Sequence, residues 1–246
     1  MTTFVSSHDV SEDQRGIAAG LRSSSAHRTV GLPIHEARLT DAFVNAADKL
    51  MPPGPGRSLH LMLEPRVGRG RPDILILTVS PSGLLTYLRR SSRFATFTEA
   101  QAISGNIDDP IGISTSYAKN LRAKVHTKGW KQSQLLQARN LVHDSLAVEA
   151  KMSDWRRAVR QVARFRPMAH RTALLVPEEV ADRVDRHTLS VYQSGLITES
   201  DHRLSWLADA PKRPLGDAQK LWLLELLHRQ LEANQSPSAL RISSSA

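Results

Sequence analysis

The stretch Ser145-Leu146-Ala147-Val148-Glu149-Ala150-Lys151 limits what this chain can fold into more than any other. Its apolar run reads as a short buried strand. The run ends in a carboxylate and an amine two residues apart. Side chains alternate along a strand, so Glu149 and Lys151 share one face, and Val148 and Ala150 the other. Such a pair is costly inside a core and useful in an active site. A helix is predicted to follow, from Asp154 to Arg166. Asp154 suits its N-cap, and Trp155, Ala158, Val159, Val162 and Phe165 form its inner stripe. Arg156, Arg157, Arg160, Arg164 and Arg166 make the remainder basic, and Pro167 ends it.

The flanking segments supply a sheet for that strand. Ile34, Ala37, Leu39, Phe43, Val44, Ala47 and Leu50 recur at helical spacing after Pro33, and Met51 to Gly56 stops the helix. Ser58 to Glu64 and Arg71 to Thr78 read as two strands of a hairpin joined by the basic turn Val67-Gly68-Arg69-Gly70-Arg71. Thr172 to Pro177 is a further buried strand, Glu178 to Leu189 a helix, and Ser194 to Glu199 a turn and the last short strand. Strand, helix, strand, helix, strand implies a mixed sheet with parallel crossovers. A final helix runs from Asp217 to Glu232, with Leu221, Leu224, Leu227 and Leu231 on one face. A stripe like that suits docking on a second copy, so a homodimer is one expectation.

Residues 83–137 differ in character. Phe97 to Ile103 and Thr115 to Lys128 read as helices separated by the turn Gly112-Ile113-Ser114. Tyr117, Ala118, Leu121 and Val125 point inward on the second, and Lys119, Asn120, Arg122, Lys124 and Lys128 outward. Helix, turn, basic helix, Gly129 and Trp130 resemble a winged helix-turn-helix, a resemblance that implies a recognition helix in the DNA major groove. A plain helical insertion with a solvated basic face is the alternative. The expected organisation is therefore a polar tail at 1–30, an α/β core at 31–82 and 138–233, an inserted helical subdomain at 83–137, and a flexible tail at 234–246.

The bulk properties fit. Lys and Arg number 33 against 24 Asp and Glu, a net charge of +9 over 246 residues. An isoelectric point near 10.3 points to a polyanionic partner, nucleic acid before membrane. Cysteine is absent, which excludes disulfides and thiolate metal sites and suits a reducing cytoplasm. The start of the chain shows no signal peptide, and the longest apolar run, Leu221 to Leu227, contains Glu225 and is too short to span a bilayer.

Pro72-Asp73 at the start of one strand and Glu149-Ala150-Lys151 at the end of another resemble the signature of the PD-(D/E)XK nuclease superfamily. The order helix, strand, strand with Asp, strand with Glu-x-Lys, helix, strand is similar to that restriction-endonuclease-like core over residues 33–82 and 142–198. Asp73 and Glu149 lie 76 residues apart, which is long for the family, and an inserted winged helix accounts for the excess. The resemblance implies a Mg²⁺- or Mn²⁺-dependent hydrolase of DNA. Asp73 and Glu149 would hold the metal, and Lys151 would orient water or contact phosphate. Glu36 on the first helix would be an accessory acid, with Glu64 as its rival. Gln161, followed by Phe165, is similar to the Gln-x-x-x-Tyr pattern of some exonuclease branches. Two hard oxygen donors suit Mg²⁺ on physical grounds as well. Arg156, Arg157 and Arg160, with the basic residues of 115–128, are the expected DNA contacts. A DNA-binding regulator without catalysis is the competing expectation. It keeps the basic surface and needs no metal.

Overall fold

The computed structural model describes residues 34–67, 70–84 and 140–235. Helix α1 (Ile34–Leu50) leads into strands β1 (Ser58–Leu63) and β2 (Ile74–Val79). Strand β3 (Val142–Ala150), helix α2 (Trp155–Ala163) and strand β4 (Arg171–Pro177) follow. Two short helices, α3 (Glu178–Ala181) and α4 (Arg186–Val191), precede the strands β5 (Gly195–Ser200) and β6 (Arg203–Ala208), and helix α5 (Asp217–Gln235) closes the series.

The six strands form one sheet in chain order. β1, β2 and β3 are an antiparallel meander, β3, β4 and β5 run parallel, and β6 returns antiparallel. The expected mixed sheet with flanking helices is what forms. On one face Leu39, Phe43 and Ala47 of α1 cover Ile74, Ile76, Leu146, Val148, Ala150, Ala173, Leu175 and Ile197. On the other, α5 covers Leu75, Leu77 and Ala147, while α2, α3 and α4 cover Leu174, Val176 and Leu196. β2 is buried along its whole length, as its unbroken apolar run requires.

Several boundaries and one element differ from the sequence reading. β3 starts at Val142, because Asp144 and Val142 extend the ladder beside β2 to Thr78 and Val79, with His143 the extra residue at the irregularity between them. β2 begins at Ile74, so Asp73 sits one residue before it. The helix expected over Glu178 to Leu189 is two helices, because the Asp185 carboxylate accepts from the His187 and Thr188 amides and starts a new one. β5 is not the last strand. Asp201 and His202 take φ of 49° and 60°, the conformation of a tight two-residue hairpin, and β6 follows. An Asp-His pair lacks the glycine that usually announces that turn. α5 is enclosed on more than one side, since every residue from Leu221 to His228 is buried. Leu221, Leu224 and Leu227 of its stripe are thus used inside this chain, and Leu231 is half-buried.

Beyond Leu84 the predicted insertion 83–137, with Lys119, Asn120, Arg122, Lys124 and Lys128, lies outside the described residues, as does the 1–30 tail. The two ends of the interval meet. Ser80 N–H donates to the Leu141 carbonyl at 3.1 Å, and Ser80 Oγ lies 2.6 Å from His143 Nε2. Gly83 packs so closely on the Leu141 side chain that a Cβ would overlap it. Among the described residues no helix is long and apolar enough to cross a membrane.

Candidate carboxylate–lysine site

The antiparallel ladder pairs Ile74 with Val148, so one step outward sets Asp73 opposite Glu149. Opposed residues in such a ladder project to the same side. That side is the one covered by α2 and α5, since Ile74 and Val148 face α1. Asp73 Oδ2 accepts the Ala150 amide at 2.7 Å, which fastens the end of β2 to the end of β3. Lys151 N–H donates to the Leu175 carbonyl at 2.9 Å, carrying the parallel ladder one residue past Ala150. Its ammonium turns back, 3.9 Å from Asp73 Oδ2 and 3.6 Å from Glu149 Oε1. Both acids are buried. Three charged groups predicted from two distant stretches therefore meet at one point, at the carboxyl end of β3.

The donor set suits a hard divalent cation. Mg²⁺ is commonly held by one or two carboxylates and keeps several waters, so two acids suffice. Among the described residues no group of three or more His, Cys, Asp or Glu side chains forms a complete protein cage. Any ion there would take the rest of its shell from water and substrate oxygens.

The other expected residues fall in different places. Gln161 is carried by α2 to the same side of the sheet, half-buried, and its Oε1 is enclosed without a hydrogen-bond partner among the described residues. Phe165, four residues on, is buried. Glu36 lies in the first turn of α1, a helix on the opposite face of the sheet, and its side chain is outside the described residues. Its rival Glu64 is nearer in register: its N–H donates to the Asp73 carbonyl at 3.0 Å, and it takes φ of 46° to turn out of β1. Arg156, Arg157 and Arg160 are exposed, with the Arg156 guanidinium 4.8 Å above the Trp155 ring. Asp154 caps α2 as predicted, accepting from the Arg157 amide at 3.2 Å.

Farther along the same face of β3 lies a pair that the sequence reading missed. Ser145 Oγ is 2.8 Å from His170 Nδ1 and accepts the His170 amide at 2.9 Å. Burial lowers the His170 pKa to about 4. Neither residue stands in a motif, and only the parallel pairing of β3 with β4 joins them.

No family model and no curated protein matches the chain. Among solved structures it is similar to a protein of unknown function from Silicibacter pomeroyi, at 14% identity, with 73% of this chain and 82% of that one covered and a TM-score of 0.38.

Proposed function

We propose that the chain is a metal-dependent nuclease that hydrolyses phosphodiester bonds in DNA, on a core of the restriction-endonuclease-like kind. The observation that carries this reading is the convergence of Asp73, Glu149 and Lys151 on one point at adjacent strand ends. Asp73 and Glu149 would hold Mg²⁺ or Mn²⁺. Such an ion lowers the pKa of bound water and offsets charge building on the phosphate. The Ala150 amide fixes the orientation of the Asp73 carboxylate toward the end of β3. Lys151 would move from bridging the two acids to contact a phosphate oxygen or the attacking water as a compact positive charge. Gln161 would orient water or substrate from α2. The arginines of α2 would hold the DNA backbone, together with Lys119, Asn120, Arg122, Lys124 and Lys128 if residues 83–137 form the winged helix that their pattern implies.

The test is supercoiled plasmid with Mg²⁺ or Mn²⁺. Wild-type protein is expected to relax or linearise it, and Asp73→Ala and Glu149→Ala to lower the rate by at least about a hundredfold, equivalent to roughly 3 kcal/mol of barrier. Cleavage that survives both changes would sink the proposal. One observation favours the second reading, a DNA-binding regulator. Lys151 already bridges both acids without a metal, offsetting one of their two negative charges. Metal-independent DNA binding with no cleavage would select that reading.

A further inference from the structure

The turn between β1 and β2 rests on the far end of α2. Val67 and Gly70 exchange backbone hydrogen bonds at 2.8 and 3.0 Å, which closes the turn. A Cβ on Gly70 would lie 2.7 Å from Phe165 Cε1, so only a glycine lets the turn approach that ring. Two arginine-bearing elements far apart in sequence are thereby made neighbours. Arg66 and Arg71 flank the turn, and Arg164 is the C-cap of α2, with Arg160 one helical turn earlier. All four are exposed, and none has a carboxylate partner among the described residues. The first turn of α2 contains no acidic residue. Ordinary surfaces intersperse the two signs. These four positions are all cationic, with Glu64 and Asp154 at the margins, and they border the carboxylates: Asp73 lies two residues after Arg71, and Lys151 three residues before the α2 N-cap.

A second observation says what such a surface can read. Proteins that hold single strands do so by stacking bases on exposed aromatic rings. The aromatic side chains of the described residues are Phe43, Trp155, Phe165, Tyr192, Trp206 and Trp222, and none is exposed. Trp155 is covered by Arg156, and Phe165 by the turn itself. A guanidinium pairs bidentately with phosphate, and no ring on which a base could stack is exposed among the described residues.

We propose that Arg66 and Arg71 of the β1–β2 turn, with Arg160 and Arg164 of α2, form one track for the phosphate backbone of a double helix, holding it beside the carboxylates without reading its sequence. This rests on DNA being the partner, not on cleavage. The experiment is fluorescence anisotropy on the full chain in EDTA, where metal-dependent cleavage cannot occur, with a 20-base-pair duplex and its single strand over a salt series. The variants are Arg66→Gln/Arg71→Gln and Arg160→Gln/Arg164→Gln, checked for unchanged circular dichroism. Each is expected to weaken duplex binding more than single-strand binding, and equally for duplexes of unrelated sequence. Each should also make the slope of log affinity against log salt shallower by about 2, one unit per lost phosphate contact. A salt slope unchanged in both variants, or a larger loss for the single strand, overturns the track. Binding with these properties but without plasmid cleavage would keep the track and reject the nuclease. Cleavage with unaffected variants would do the reverse.

Discussion

Asp73 has two tasks, and they separate by substitution. Its Oδ2 is the acceptor for the buried Ala150 amide. Asp73→Ala leaves that donor unmet, a cost of about 1–3 kcal/mol in urea denaturation, whereas Asp73→Asn keeps an acceptor and should recover most of it. Metal-dependent activity should be lost in both. Buried histidines set the acid limit of the fold. Burial lowers His60 from 6.5 to about 4, and His170 likewise. The unfolded chain then takes up protons that the folded chain refuses. Stability is fully present above pH 6.5 and falls as the pH drops toward 4. For His60 alone the loss between pH 6.5 and 5 is on the order of 2 kcal/mol. Urea midpoints at the two pH values measure it, with His60→Gln expected to remove this share of the loss and leave that of His170. Asp73, Glu149 and Lys151 were legible because strand alternation and a short motif fix which side they face. Ser145 and His170 were not, since their meeting depends on the β3–β4 register, which no local pattern encodes.

Helices and strands with strong periodicity were legible as elements, and their environments less so. Leu221, Leu224, Leu227 and Leu231 read as a one-sided stripe, yet Trp222, Leu223, Leu226 and His228 are buried too. Periodicity shows a helix's most apolar side and is silent on whether the remaining sides are also covered. Leu224→Ala should therefore cost about 2–5 kcal/mol, as for a core position, with no change in oligomeric state. A loss below about 0.5 kcal/mol accompanied by dissociation of a dimer would instead support the docking role for α5. The break between α3 and α4 has the opposite cause. Asp185 has local signals of its own, but Val180, Val184 and Leu189 masked them by continuing a helical spacing. β6 was hidden because its alternation is short and its turn carries no glycine. At the head of α2, Asp154→Ala should lower stability by about 1 kcal/mol in the same denaturation assay.

Charge is not spread evenly over the molecule. Residues 85–139 hold nine Lys and Arg against three Asp and Glu, and so carry six of the nine net positive charges. Basicity read from composition alone hence says little about the sheet-bearing part, where both signs are nearly balanced and position decides what a cation does. The contact of Ser80 and Gly83 with Leu141 and His143 has a consequence for this division. Because the two ends touch, the interval between Leu84 and Asn140 acts as a port. Whatever is fitted there must only begin and end within a few ångströms, and its length is almost free, since each doubling of a closed loop costs only about 0.6 kcal/mol. Replacing 85–139 by a short Gly-Ser linker should leave a folded sheet, seen as a cooperative thermal transition and unchanged tertiary circular dichroism, while removing most of the chain's net positive charge. A molten product would show that these residues are a wall of the core. Otherwise the same carboxylates could serve different targets simply by exchange of what the port holds.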